Sequence, residues 1–283
     1  MRRSAAVLIT SLTFVLLPHS GYAQQRPLLT EDPEPIGAGR ILFEGGLDLA
    51  HGQPYPVSGL EGNLIRLPTI GLSFGLSSIA ELQIDGGLYD HLKITARHEA
   101  PLSSLVTAKG DSTSDVEDIV VATKIRVLSE TANRPAFGVR FATKLPNASN
   151  ESGLGLDTTD FYMSVLSAKT VQSIRVVGNI GFGILADPTS GNRQNDVLTY
   201  GLSFARAITQ SAELVGELYG RANTRSGDPI PGTETRSLLR LGGRYTHGML
   251  RLDSGIYVGL TTADPDIGVT VGFTYVINAF TVP

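Results

Sequence analysis

The chain of 283 residues has no cysteine and no tryptophan, and its aromatics amount to 7%. Without cysteine there is no disulfide, no thiol nucleophile and no thiolate metal site. Beyond the first residues no apolar run approaches the roughly 20 residues a membrane-spanning helix needs. Acidic residues outnumber basic ones, 27 to 23, for a formal net charge of −4. No basic face emerges, so nucleic acid is excluded as a partner. What the chain does have is glycine, 32 residues of it, together with long polar stretches between alternating segments.

Arg2 and Arg3 precede an apolar run from Ala5 to Leu17, which Pro18 ends. Gly21-Tyr22-Ala23 then places small residues at the two positions a signal peptidase reads. This is the pattern of a cleaved secretory signal peptide over 1–23, with the mature chain starting at Gln24. The expected organisation after it is a periplasmic N-terminal segment over 24–39, a barrel over 40–277 and a tail over 278–283.

After residue 40 about twelve stretches alternate with a period of two residues, the spacing of a strand with two unlike faces. In Ala136–Leu145, Phe137, Val139, Phe141 and Leu145 alternate with Gly138, Arg140, Ala142 and Lys144. In Ile119–Val127, Ile119, Val121, Ile125 and Val127 oppose Lys124 and Arg126. Ile174, Val176, Ile180, Phe182 and Ile184 likewise oppose Arg175 and Asn179, and Leu82, Ile84 and Leu88 oppose Glu81, Gln83 and Asp85. Later, Leu239, Leu241 and Tyr245 oppose Arg240 and Arg244, and Leu250, Leu252 and Ile256 oppose Arg251 and Asp253.

The links between these stretches are unequal. Those within Leu76–Ile79, Lys169–Ser173, Thr209–Ala212 and Thr246–Leu250 are short. Those at 51–63, 90–117, 146–158, 187–196 and 223–235 are long, polar and rich in Gly, Pro, Asn and Asp. An outer-membrane barrel has this asymmetry, with short periplasmic turns and longer extracellular loops. A secreted β-sandwich also alternates, but its strands run about five or six residues, and nothing obliges it to gather its long loops at one end. The expected fold is therefore all-β: a closed antiparallel transmembrane barrel of about 12 strands. The missing tryptophan leaves the interfacial aromatic girdles to Tyr and Phe. On the lipid face Arg or Lys at mid-membrane costs about 2–4 kcal/mol, so the strand charges are expected to face the lumen.

Several motifs in order resemble those of a known family. Val116-Glu117-Asp118-Ile119 leads through Leu128 to Arg134-Pro135-Ala136-Phe137. Lys144-Leu145-Pro146 and Thr158-Thr159-Asp160-Phe161 follow. Near the end stand Arg251-Leu252-Asp253-Ser254-Gly255, Gly259-Leu260-Thr261, Asp264-Pro265-Asp266 and Gly268-Val269-Thr270. From about 116 to 277 the chain resembles the outer-membrane barrel family named for the meta pathway of phenol degradation, called transporter-like. The resemblance implies a barrel that passes aromatic or other small hydrophobic compounds, and it carries over no binding residue. The last strand also resembles the C-terminal assembly signal of outer-membrane barrels, through Thr270, Gly272 and Tyr275, with Ile277 where an aromatic is usual. The expected partners are outer-membrane lipid, the barrel assembly machinery and a small-molecule solute.

Motifs with catalytic potential are weak. Gly71-Leu72-Ser73-Phe74-Gly75 matches a nucleophile elbow, which requires a strand, a strained turn and a helix; here it falls inside a strand. His51, His91, His98 and His247 lie at strand ends or in loops without zinc spacing. The acidic loop residues Asp111, Asp115, Glu117, Asp118, Asp157, Asp160, Asp187, Asp196, Asp264 and Asp266 lack calcium-loop spacing and read as solvated charge. Neither an enzyme activity nor a cofactor or metal is expected.

On the inferred lumen face, bases (Arg40, Lys124, Arg126, Arg140, Lys144, Arg175, Arg221, Arg240, Arg244 and Arg251) outnumber acids (Glu44, Asp48, Glu81, Asp85, Glu213, Glu217 and Asp253). Either opposed walls set a transverse field across a pore, or the charges pair and plug a narrow barrel. Arg140, Lys144, Arg175, Arg240, Arg244, Glu81 and Asp85 are the candidate pore-lining residues. The apolar stretch around Leu102, Leu105 and Val106, in the longest link, is the candidate constriction. Two functions follow: a passive channel for small, aromatic or hydrophobic compounds, or a structural or adhesive barrel with a closed lumen and partner-binding loops.

Overall fold

A computed structural model describes residues 26–281; the expected signal peptide lies outside them. The alternating stretches become β1 (Arg40–Tyr55), β2 (Leu60–Gly75), β3 (Ala80–Gly87), β4 (Asp90–Arg97), β5 (Ser112–Asp115), β6 (Val120–Leu128) and β7 (Ala136–Lys144). They continue as β8 (Asp160–Val171), β9 (Ile174–Ala186), β10 (Gln194–Ala207), β11 (Ala212–Asn223), β12 (Arg236–His247), β13 (Leu250–Gly259) and β14 (Ile267–Asn278). All pair antiparallel. β1 bonds both β14 and β2, closing a ring of twelve strands, while β4 and β5 stand outside the ring count. Closure removes the free edges that a bilayer cannot solvate.

The two faces divide as the alternation requires. Outward, Phe137, Phe141, Ile180, Phe182, Leu202 and Ile256 are exposed, as a lipid-facing band must be. Inward, the larger charges vanish from solvent; Lys124 is 0% exposed. Tyr and Phe form the girdle. The Phe43 and Phe273 rings meet at 5.6 Å, tilted by 52°, beside exposed Tyr275 and Tyr245 towards the short-turn end. Tyr89 and Phe161 stand exposed at the other. The barrel thus carries the surface of a protein that spans the bacterial outer membrane.

Two of the expected long loops are corrected. Much of 51–63 is strand, because β1 and β2 run 16 residues each and only Pro56–Gly59 connects them. The link 90–117 is not structureless either. β4 continues β3 along β2, from Arg66↔Asp90 to Leu60↔Arg97, and β5 pairs β4 from Asp90↔Asp115 to Lys93↔Ser112. These strands raise the wall beyond the ring on the long-loop side. β5 is short and wholly polar, and β4 alternates Leu92, Ile94 and Ala96 with His91, Lys93 and Thr95 over only eight residues, which is why the segment looks like loop.

That raised wall is pinned from inside the sequence of the next loop. Thr113 donates to the Ser152 carbonyl at 2.8 Å and the Ser149 amide donates to Asp115 at 2.8 Å. Ser58 reaches the Gly153 carbonyl at 2.7 Å. A small apolar core of Ala50, Leu60, Leu64, Leu92 and Tyr257 lies beneath, with Val106 and Leu154 against it.

Candidate functional site: the barrel lumen

The lumen is not empty. The chain ahead of β1, expected on the periplasmic side, is placed inside the barrel from Arg26 to Ile36. The correction rests on hydrogen bonds to wall after wall. At one end the Ile36 amide donates to Glu81 on β3 at 2.6 Å. Glu34 pairs with Arg126 on β6, and Asp32 with Arg175 on β9. Glu31 exchanges two backbone bonds with the Asn179 amide side chain, both at 2.7 Å. Its carboxylate meets Lys124 at 3.3 Å and Arg140 at 3.0 Å. Farther on, the Leu29 and Thr30 amides and the Thr30 hydroxyl all donate to Glu217 on β11 at 2.8 Å. Arg240 and Arg244 on β12 donate to the carbonyls of Pro27 and Arg26, at 2.6 and 2.8 Å. The Arg26 guanidinium ends the crossing against Thr69 of β2 at 3.0 Å, Thr270 of β14 at 2.9 Å and Asp253 of β13 at 3.5 Å.

Such a crossing needs an extended strap with few backbone donors of its own, and the sequence Arg26-Pro27-Leu28-Leu29-Thr30-Glu31-Asp32-Pro33-Glu34-Pro35 suits that. Proline fixes φ and removes a donor, so the wall has fewer buried amides to satisfy. Glycines on the inner face make the trough. A Cβ at Gly46 or Gly272 would collide with the Arg26 guanidinium, and one at Gly242 would sit 3.0 Å from the Pro27 ring.

The wall charges also pair sideways, along the strand register. Glu81 faces Lys124 across β3 and β6 at 3.0 Å. Glu217 faces Arg240, and Glu213 faces Arg244, across β11 and β12 at 3.6 and 3.8 Å. Lys144 meets Asp160 across β7 and β8 at 3.2 Å. Of the two arrangements left open by the sequence, pairing prevails for these eight residues, with neighbours across the register or with the strap.

Arg140, Lys144, Arg240 and Asp85 line the main cavity. Arg175, Arg244 and Glu81 face inward too and are engaged with the strap or their neighbours. The candidate constriction residues fall elsewhere. The Leu102 amide donates to the Val57 carbonyl at 2.9 Å, Leu105 is exposed, and Val106 packs on the outer apolar core. None of the three lines either cavity; the strap, not this segment, crosses the lumen.

Above the strap lies a cavity of about 580 Å³, whose floor includes Arg26, Pro27, Leu28, Leu29 and Glu31. A second cavity of about 320 Å³ adjoins it on the long-loop side. Arg66, Glu117, Asp118, Lys144, Tyr162, Arg221 and Arg236 line both.

The other motifs find structural work. Asp118 accepts the amides of Asn147 and Ala148 at 2.9 and 2.8 Å, and Asp264 takes the Ser237 amide at 2.8 Å and the Thr261 hydroxyl at 2.7 Å. Asp187 holds Thr189 and pairs with Arg193 at 2.7 Å. Burial pushes the Asp187 carboxyl up, but the Thr189 and Arg193 bonds outweigh it and hold the group below the usual carboxylate range. These acids cap loops rather than simply facing solvent. Ser73 of the elbow-like motif sits inside β2, whose next strand follows directly as an antiparallel partner. His98 meets Glu61 at 3.2 Å with both exposed.

A family profile described as "Putative MetA-pathway of phenol degradation" matches residues 70–277. The chain belongs to this family. The match begins well before the stretch near 116 where the sequence motifs become evident. Among solved structures, the chain is similar to an outer membrane channel from Pseudomonas putida F1, at 14% identity and a TM-score of 0.64, covering 87% of this chain and 98% of that one. It is also similar to the NanC porin, at 10% identity and a TM-score of 0.52, covering 83% and 98%. At these identities the likeness is one of fold. No curated protein matches the chain.

Proposed function

We propose that this family member is a passive outer-membrane channel for small, aromatic or hydrophobic compounds, with its long loops outside and its short turns in the periplasm. One observation carries the reading: the cavity of about 580 Å³ above the strap. That volume lies in the range of ligand pockets, roughly 300–1,000 Å³. The cavity is walled by Ile70, Val120, Leu166 and Leu238 as well as by charges. A barrel kept only as a scaffold would gain more by packing this space. The likeness to an outer membrane channel supports the same reading. The barrel has no catalytic role in this proposal; Asp118, Asp187 and Asp264 hold loop amides and hydroxyls, and His98 lies against Glu61. It assembles through the barrel assembly machinery, guided by β14.

The test is electrical. The purified barrel in a planar bilayer is expected to give discrete conductance steps, and an aromatic solute added to one side should interrupt the current. A silent bilayer, both for the intact chain and for a chain lacking residues 26–36, would leave the closed, structural barrel as the better reading.

A further inference from the structure

One row of inward side chains carries two cations with no carboxylate within hydrogen-bond distance. Thr199 of β10, Arg221 of β11 and Arg236 of β12 are direct register neighbours. All three line the larger cavity, and the two arginines line the outer one as well. Two guanidinium groups directly opposite each other repel, and the protein supplies little to offset this. Arg221 donates to the carbonyls of Glu234 at 3.0 Å and Gly232 at 2.8 Å. Its nearest acid, Glu234, stands at 3.9 Å, with its other oxygen turned to the Gly232 amide. Arg236 makes no ion pair within 4.0 Å and no side-chain hydrogen bond among the described residues, and its Nε is buried without a partner. The Thr199 hydroxyl is likewise buried and unpartnered. Elsewhere in the lumen every other inward arginine named above meets a carboxylate or a carbonyl. Buried donors without acceptors are costly, so this row is arranged for an acceptor that the described residues do not supply.

We propose that Thr199, Arg221 and Arg236 form an anion subsite that takes the carboxylate of an amphipathic solute, while the solute's apolar body lies in the larger cavity beside Leu166 and Leu238. The proposal rests on the channel reading, since the ligand reaches the row only through the lumen. A planar guanidinium pairs with a carboxylate through two parallel N–H bonds, and the threonine hydroxyl adds a neutral donor. The carboxylates that bear on Arg236, Glu234 and Asp264, are taken by the Gly232 and Ser237 amides, which leaves the row room for one singly charged head. The apolar wall disfavours a small, fully hydrated inorganic ion. An aromatic acid and a medium-chain fatty acid share this chemistry.

Equilibrium dialysis tests the subsite without requiring transport. The full barrel is placed in phosphatidylcholine nanodiscs, and binding of 4-nitrobenzoate is compared with that of the uncharged 4-nitrobenzyl alcohol, with empty nanodiscs subtracted. The carboxylate is expected to bind about tenfold more tightly, as one charge-assisted hydrogen-bonded pair allows. Arg236→Gln should abolish that preference, Arg236→Lys should retain part of it, and Thr199→Val should weaken it less. Arg206→Gln, on an exposed residue at the other end of β10, should change nothing. Octanoate displaces 4-nitrobenzoate if aliphatic acids are taken too, and fails to if the site is confined to aromatic acids; either result presupposes the subsite. Equal affinity for acid and alcohol in the intact barrel overturns the proposal, as does a preference that survives Arg236→Gln. If that variant does not fold, the ratio in the intact barrel and the Thr199→Val result decide. A conducting barrel with no acid preference ends this inference and leaves the channel reading standing. A barrel that is silent both intact and without residues 26–36 ends the channel reading whatever the dialysis gives.

Discussion

The two halves of the lumen are built from the same residue types and use them oppositely. Towards the short turns, Lys124, Arg126 and Arg175 meet the carboxylates of Glu31, Glu34 and Asp32, and Arg240 donates to the Pro27 carbonyl of the strap. Towards the long loops, the Thr199 hydroxyl and the Arg236 side chain have no hydrogen-bond partner among the described residues and line the cavity. A charge on a lumen wall is therefore not by itself a pore feature. In one half it anchors the protein's own N-terminal segment, and in the other it is left available. Charge, burial and the presence of an internal acceptor must be weighed together before a residue is assigned to a path.

The largest effect that tests this contrast is expected from Lys124→Met. It strands Glu31 and Glu81 in a site where the lysine is 0% exposed. Removing one partner of a buried pair costs about 3–5 kcal/mol, so the urea midpoint of the folded, heat-modifiable band should fall sharply. Arg236→Met in the unsaturated half should leave that midpoint unchanged or raised. A similar loss from both would erase the distinction between the halves.

Deletion of residues 26–36 comes next. The ring of strands and its outer apolar face do not depend on the strap, so a folded barrel should persist with a several-fold larger single-channel conductance. An unchanged conductance would mean that the strap is not the barrier. A milder version is Gly272→Val, which fills the place of the Arg26 guanidinium. It should free one end of the strap and raise the frequency of open events rather than their size; bilayer recordings that match the intact chain would count against this.

The smallest expected effect lies at the short-turn rim. Glu130, in the turn after β6, accepts from the Thr170 amide at 2.8 Å and pairs with Lys169 and Arg175, each at 3.0 Å. Burial raises its carboxyl, but the Thr170 amide bond and the two cations outweigh that and leave it below the ordinary carboxylate value. A lowered folded-state value stabilises the native state above the unfolded value, and the contribution fades as pH falls through the folded one. The difference in urea midpoint between the intact barrel and Glu130→Gln should therefore be small at neutral pH and vanish in acid. A difference that grows on acidification would contradict the assignment.

Much of this architecture was legible because a bilayer imposes a simple rule. Outward residues must be apolar and inward ones polar, so Phe137/Arg140 and Ile180/Asn179 announce their faces through a period of two. The ring of twelve strands and the unequal connections followed from that rule together with the turn residues. The rule has nothing to say above the membrane, and there the reading failed. β5 is polar throughout, β4 carries its buried Leu92 in a run of only eight residues, and in 51–63 the strands simply run on. The strap was also missed, although two signals pointed to it. Bases outnumbered acids on the inward face, and Glu31, Asp32 and Glu34 sat among prolines just ahead of the first strand, the complement of that excess. Counting charge across the whole mature chain, rather than across strands alone, would have joined the two.

By itself, then, the sequence determined the compartment expected for the chain, the closed all-β wall, the lipid-facing side of each strand and the family. These are local properties, carried by periodicity and short motifs that need no knowledge of what lies across the barrel. Only the tertiary structure decided which charges are spent. Glu31 lies 93 residues from Lys124, and Arg26 lies 244 from Thr270, and no local pattern records such meetings. Arg221 and Arg236 look alike with Arg240 and Arg244 in sequence. Closure of the ring puts the strap's carbonyls within reach of the last two and leaves Arg236 facing an open cavity, because an extended strap crosses the lumen at one level only.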